Sequence, residues 1–155
     1  MDVFNLYSPE PQYDADDPEG YRAGADRFGP KIGAAQMGAT VYELPPGQSV
    51  CPYHYEYGQE EWLIVLDGPL VLRHPDGEQT LARGDVVCFP TGPEGAHRLF
   101  NRGDKTIRVV MLSTKTEPSV AVYPDSDKIG VFPGDKRDYI MVRRSSHVDY
   151  YDGEL

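Results

Sequence analysis

The middle of the chain alternates short strand-like runs with turn signals, and this pattern constrains the fold more than any other feature. Seven runs rich in β-branched and aromatic residues predict strands at residues 38–44, 61–66, 70–73, 78–81, 85–89, 96–101 and 107–113. Glycine and proline separate the runs, as in Pro75-Asp76-Gly77, where the glycine can adopt a positive φ. Strands that recur every ~8–12 residues without helical periodicity between them indicate an antiparallel sandwich or barrel.

The segments on either side of this centre have a different composition. We predict three parts: an N-terminal arm at residues 1–37, a barrel at 38–115 and a C-terminal arm at 116–155. Both arms are rich in proline and read as irregular, with one strand expected at 139–143. Disordered tails are poor in aromatic residues. Because both arms contain several tyrosines and phenylalanines, we expect them to pack on the barrel of their own chain or of a partner chain.

Charge and hydropathy exclude several classes of partner. The net charge is −10 and is spread over all three parts, so no segment has the basic field that nucleic acid requires. No apolar run approaches the ~20 residues of a membrane span. The spacing of Cys51 and Cys88 matches no metal-binding motif, so we expect both to be free, buried thiols. A disulfide between them is the alternative. We therefore expect a soluble, cytoplasmic domain that acts on a small molecule.

The segment at residues 47–68 carries most of the recognisable chemistry. In an extended strand alternate side chains share a face, so His54 and Glu56 can both point into the barrel. Glu61 begins the next predicted strand, and His97 opens a later one. Imidazole and carboxylate groups bind divalent first-row metals. We expect these four side chains to converge on one metal ion.

Three further residues have simpler expected roles. Glu60 should face away from Glu61 towards solvent, unless the strand slips by one residue and the two exchange roles. Trp62 is expected in the core between the sheets. Asn101 either orients a metal ligand from the second shell or caps a turn.

Two motifs in this sequence resemble those of the cupin superfamily of small jelly-roll barrels. Residues 61–68 fit the end of the first cupin motif, G(X)5HXH(X)3–4E(X)6G. Residues 84–92 and 97–101 fit the second, G(X)5PXG(X)2H(X)3N, with two extra residues in the connecting loop. The similarity spans residues 38–115 and is to small, single-domain, conserved-barrel (cupin_2-like) proteins of bacteria. It implies an all-β fold, a single double-stranded β-helix with irregular arms.

The resemblance also implies a ligand set. It assigns His54, Glu61 and His97 as metal ligands and places Glu56 where the family has a second histidine. Two imidazoles and two carboxylates would neutralise one divalent ion per chain, which suits Mn, Fe or Zn. The extra carboxylate could instead weaken the site, since like charges repel when the metal is absent. If Glu56 is not a ligand, Glu56 or Glu60 is the candidate proton-transfer group.

Three functions fit these features. The first is a metal-dependent enzyme acting on a small oxygenated metabolite, of dioxygenase, isomerase or lyase type. The second is a non-catalytic module that binds a small molecule, and the third is a domain that has lost its site and acts through oligomerisation. A homodimer is expected in each case, because the edge strands of a small jelly roll need cover.

Overall fold

The computed structural model describes residues 1–154, which form an all-β fold. The strands are β1 (Gly24–Asp26), β2 (Met37–Leu44), β3 (Tyr55–Tyr57), β4 (Glu61–Val65), β5 (Leu70–His74), β6 (Gly77–Leu81), β7 (Val86–Phe89), β8 (Arg98–Phe100), β9 (Ile107–Thr114), β10 (Ser119–Tyr123), β11 (Lys128–Phe132) and β12 (Ile140–Arg143). The helices are single 3₁₀ turns at Pro30–Ile32, Pro93–Gly95, Pro124–Ser126, Lys136–Asp138 and Arg144–Ser146. Within residues 1–154 no helix has the length and apolar character needed to cross a membrane.

The strands form three antiparallel sheets. The largest has the order β1-β2-β9-β4-β7, the second β12-β11-β10-β3 and the third β6-β5-β8. An isolated bridge between His54 and His97 joins the second and third sheets, because these residues directly precede β3 and β8. The joined sheets and the five-stranded sheet make up the two layers of the fold.

The main core lies between the five-stranded and three-stranded sheets. Leu63 on β4 and Leu99 on β8 are fully buried, as are Leu70 and Val109. Inward side chains alternate with outward ones along β4, so Glu61, Leu63 and Val65 share the inner face, as the sequence predicts. Burying each such aliphatic side chain contributes about 1.5–3 kcal/mol.

The N-terminal arm covers part of the outer face of the five-stranded sheet. Phe4 stacks on Phe28 with ring centroids 4.6 Å apart, and both belong to a second cluster with Val41 and Val110. Trp62 lies on this outer face but is 43% exposed. The expectation of a core tryptophan is wrong, because the alternation that buries its neighbours in β4 turns the indole outward.

The C-terminal arm is more regular than the sequence indicates. It contributes β10, β11 and β12, where the sequence predicts only a strand at 139–143. Strand β10 pairs directly with β3, so Ala121 lies opposite Glu56. This arm therefore builds part of the sheet that carries His54.

All seven central strands predicted from the sequence are present, with ends displaced by no more than two residues. Strands β1, β3, β10 and β11 are additional, and β1 lies in the N-terminal arm that the sequence predicts to be irregular. They are short or lie between prolines. They are stabilised by pairing, β1 with β2 and β10 with both β3 and β11.

Two adjacent substitutions on β4 should have very different effects on stability. Leu63→Ala opens a cavity in the main core and should lower the free energy of unfolding by about 2–5 kcal/mol. Trp62→Ala removes a larger side chain from the exposed face and should cost only about 1 kcal/mol. Urea denaturation followed by circular dichroism measures both values. Equal losses would contradict the assignment of the two faces.

Candidate metal centre

Main-chain hydrogen bonds hold two histidines side by side. The amide of His54 donates to the carbonyl oxygen of His97 (3.1 Å), and the amide of His97 donates to that of His54 (2.8 Å). Residues that exchange both hydrogen bonds across antiparallel strands project their side chains from the same face. The two imidazole rings accordingly lie with centroids 4.8 Å apart, although the residues are far apart in sequence.

Glu61 approaches the two histidines from the opposite layer. Its Oε2 atom lies 3.5 Å from Nε2 of His97 and 4.0 Å from Nε2 of His54. All three potential ligand atoms lie within 4.8 Å of one another. The histidines are 7% and 2% exposed, and Glu61 is partly buried. The structure thus brings together three of the four residues predicted to converge.

Both histidines are oriented by carbonyl groups behind them. Nδ1 of His97 lies 2.9 Å from Gly95 O, and Nδ1 of His54 lies 3.0 Å from Pro52 O. A carbonyl only accepts, so each Nδ1 carries the proton and each Nε2 presents a lone pair towards Glu61. Metal-ligating histidines are typically held in this way.

The donor set fits a divalent first-row metal. Two neutral imidazoles and a carboxylate are ligands of Mn, Fe and Zn. Nitrogen and oxygen ligands lie about 2.0–2.2 Å from zinc, which places neighbouring donor atoms a little over 3 Å apart. The 3.5 and 4.0 Å separations of the Glu61 oxygen from the two imidazole nitrogens are near this value, and all three atoms, now within 4.8 Å of one another, would draw together around an ion.

Burial sets the electrostatics of the centre. It lowers the pKa of His54, and together with the neighbouring imidazole it lowers the pKa of His97 to about 3. Burial, followed by the charge of Glu56, raises the pKa of Glu61 to about 7. All three groups are thus shifted towards their neutral forms. A bound cation would offset the unfavourable carboxylate charge.

Glu56 lies beside the centre rather than within the group of three. It follows His54 by two residues, so it projects from the same face of the strand. It is half-buried, and burial raises its pKa. Among residues 1–154, the ligand atoms that lie within 4.8 Å of one another belong to His54, Glu61 and His97, and the Glu56 carboxylate is outside this group. With its amide nitrogen turned towards the neighbouring oxygens, Gln59 donates to Glu56 Oε2 at 3.1 Å.

Glu60 points away from the metal centre. Its side chain is exposed, and Oε1 accepts a hydrogen bond of 2.8 Å from the indole N–H of Trp62. The strand register is therefore the one in which Glu61 faces inward. Glu60 therefore lies on the outer face, away from the three converging side chains.

Asn101 stabilises a turn. Its Nδ2 donates to Leu44 O and Lys105 O, both at 2.8 Å, and its Oδ1 accepts from Gly103 N at 2.9 Å. These bonds use both amide protons, one on the end of β2 and one within the loop between β8 and β9. The turn-capping alternative describes this residue, and a role in orienting a metal ligand does not.

Two aromatic rings outside the predicted group of ligands support the histidines. Phe89 stacks on His97 with centroids 3.8 Å apart and an interplanar angle of 9°. Tyr123, in β10, stacks on His54 at 5.8 Å. Phe89 could have been found from the inward alternation of its strand, whereas nothing local in the sequence links Tyr123 to His54.

The cysteines differ in their surroundings. The Sγ atom of Cys51 lies 3.5 Å from Nδ1 of His54, on the side of the ring away from Glu61, and burial raises the pKa of this thiol. Cys88 lies on β7 and is exposed, although the sequence predicts a buried thiol. Both cysteines are free.

Comparison with known proteins defines the class. The family model for the cupin domain matches residues 40–113. No curated protein sequence matches the chain significantly. The jelly-roll prediction is confirmed, and residues 40–113 form a conserved barrel of the cupin_2 type.

Solved structures extend the comparison beyond the barrel. A structure described as a sugar phosphate isomerase of the cupin superfamily from Silicibacter pomeroyi is 26% identical, with a TM-score of 0.80, and the match covers 97% of this chain and 98% of that one. A structure from Acidithiobacillus ferrooxidans is 24% identical, with a TM-score of 0.77 and coverage of 84% and 81%. A polyketide cyclase from Streptomyces resistomycificus is 20% identical, with a TM-score of 0.60 and coverage of 74% and 79%. The last two likenesses show the fold alone.

In metal-free protein, Glu61→Gln should stabilise the fold in a pH-dependent way. Folding raises the pKa of Glu61 from an ordinary value of 4.5 to about 7, so ionisation of this group disfavours the folded state as the pH rises through that interval. The variant should gain about 3 kcal/mol of unfolding free energy at pH 8 and almost nothing at pH 4, where the carboxyl is mostly protonated in both states.

Urea denaturation in the presence of a chelator, at both pH values, measures this difference. Glu60→Gln is the matched control, because its exposed side chain should give no pH-dependent gain. An equal effect of Glu61→Gln at pH 4 and pH 8 would show that its charge is not responsible.

Proposed function

We propose that this protein is a metal-dependent isomerase of small hydroxy-carbonyl metabolites. One divalent ion (Mn, Fe or Zn) would be held by His54, Glu61 and His97. The observation that carries the proposal is the convergence of two free Nε2 lone pairs and one carboxylate oxygen in a buried centre, with a further carboxylate, Glu56, beside them. The structural relative described as a sugar phosphate isomerase favours isomerisation over oxygen chemistry.

Each group has a distinct part in such a reaction. A bound metal ion supplies Lewis-acid polarisation of a carbonyl oxygen. Isomerisation moves one proton between the two adjacent carbons of a hydroxy-carbonyl unit and moves another between their oxygens. Glu56 is suited to take the carbon-bound proton and return it to the neighbouring carbon, because its raised pKa brings it closer to neutral pH. Gln59, by donating to Glu56, would hold the carboxylate in position.

Other expectations from the sequence belong to the same proposal. The homodimer, the cytoplasmic location and the small-molecule partner stay predictions. A role for Glu56 as a metal ligand also stays a prediction, and it is the alternative to the role of Glu56 as a base.

Metal binding is tested most directly at His97. Protein purified without a tag or chelator and loaded separately with Mn, Fe or Zn should bind about one ion per chain. His97→Ala removes one of three ligands and should lose the ion, whereas His74→Ala, a change on the half-exposed end of β5, should retain it. Elemental analysis after gel filtration gives the ratio. Full occupancy in His97→Ala would refute the centre.

The role of Glu56 is tested by solvent exchange. Metal-loaded protein is incubated in D₂O with aldoses and ketoses, phosphorylated and unphosphorylated, and deuterium at the carbon next to the carbonyl is followed by NMR. Glu56→Gln should slow exchange by about 10²–10⁴-fold while keeping the metal, because a proton acceptor is lost. Glu60→Gln serves as the control, and the substrate should take up deuterium at the same rate with this variant as with the unmodified protein.

The remaining outcomes separate the alternatives. Loss of the metal from Glu56→Gln would make Glu56 a ligand and overturn its role as base. Saturable binding of these compounds by the unmodified protein, with no exchange and no product, would favour the non-catalytic binding module instead.

A further inference from the structure

A second candidate site lies on the outer face of the three-stranded sheet, away from the metal centre. It is a groove of about 400 Å³ lined by Val71, Arg73, Glu78, Arg98, Phe100 and Arg102. Three arginines in one groove are unexpected in a chain whose net charge is −10. The groove does not depend on the function proposed for the metal centre.

Strand register forces two of these arginines together. Leu72 and Leu99 are paired across β5 and β8, and both are buried in the main core. Their neighbours Arg73 and Arg98 are also directly paired and must therefore project outward together. Like charges directly opposite one another on a sheet are destabilising. This arrangement favours the presence of an anion.

Two of the three arginines already have carboxylate partners. Arg73 donates through both terminal nitrogens to Asp125, with Nη2 lying 2.9 Å from Oδ1. Arg102 donates through both terminal nitrogens to Glu78, at 2.6 and 2.7 Å. The two pairs are exposed or half-exposed and hold their guanidinium groups at either side of the groove.

Arg98 is held in place by neutral groups alone. Its Nε and Nη2 atoms donate to Ser49 Oγ at 3.0 and 2.9 Å, and Ser49 is fully buried. Its guanidinium carbon lies 5.5 Å from the ring centroid of Tyr21 and 5.4 Å from that of Phe100. Among residues 1–154, no carboxylate lies within ion-pair distance of Arg98. Three of its five N–H donors are left for a ligand.

We propose that this groove binds a phosphoryl group, with Arg98 as the principal contact. Guanidinium groups match the oxygen geometry of phosphate, and a guanidinium already held by Ser49 and two aromatic rings loses little freedom on binding. Three arginines and two carboxylates leave one net positive charge at the groove. A phosphoryl dianion gains more from this field than a monoanionic carboxylate does.

Titration calorimetry with inorganic phosphate tests the site. The metal-loaded protein should bind one phosphate per chain, and Arg98→Gln should weaken binding by at least about tenfold, because it removes charge-assisted hydrogen bonds. Arg137→Gln is the matched control: Arg137 is an exposed arginine paired with Asp135 in the C-terminal arm, and its loss should leave the affinity unchanged. Arg98→Lys keeps the positive charge but loses the paired N–H donors of the planar guanidinium, so it should reduce the affinity by an intermediate amount.

His97→Ala distinguishes the groove from the metal centre. Phosphate binding that survives His97→Ala but is lost in Arg98→Gln assigns the anion to the groove. Binding lost in His97→Ala and kept in Arg98→Gln would place it at the metal centre and overturn the proposal, as would the absence of saturable binding. Circular dichroism verifies folding of each variant, and Arg98→Lys replaces Arg98→Gln if the latter does not fold.

A parallel titration with glycerol phosphate identifies the source of the phosphoryl group. Tighter binding of the ester than of inorganic phosphate would indicate a phosphorylated metabolite. Equal or weaker binding would indicate free phosphate. Either result supports a phosphoryl site, provided that Arg98→Gln weakens binding of the ester as it weakens binding of inorganic phosphate.

Discussion

The pair of main-chain hydrogen bonds between His54 and His97 is the interaction on which the rest of the structure depends. It joins two sheets into one layer and places two imidazole rings on the same face. Backbone bonds of this kind are harder to distort than side-chain contacts, so the candidate metal centre is built into the topology of the fold. Glu61 then has only to face this junction from the opposite layer.

The same junction explains the electrostatic character of the centre. Its three polar groups are enclosed by Phe89, Tyr123 and the aliphatic core, and burial disfavours the charged form of each. Such an arrangement reduces stability while the site lacks a cation. Functional sites often carry a local cost of this kind, which the surrounding core offsets.

Much of the fold and of the candidate metal centre could be predicted from the sequence, because the alternation of inward and outward side chains along a strand is a local signal. Periodicity located the central strands and placed His54, Glu61 and His97 on inner faces. The same alternation turns Trp62 to the outer face, so the expectation of a core tryptophan conflicts with the pattern of its own strand. Long-range pairing was also invisible: nothing near Tyr123 shows that β10 lies beside β3. For Asn101, only the loop geometry distinguishes a turn cap from a residue that supports a metal ligand.

The position of Trp62 gives the protein an internal optical probe. It is the single tryptophan of the chain, it adjoins Glu61 in β4, and its indole is held against Glu60 at the protein surface. Half-exposed indoles change their emission with small changes in hydration. Binding of a metal ion by Glu61 should therefore change the intrinsic fluorescence, without any label.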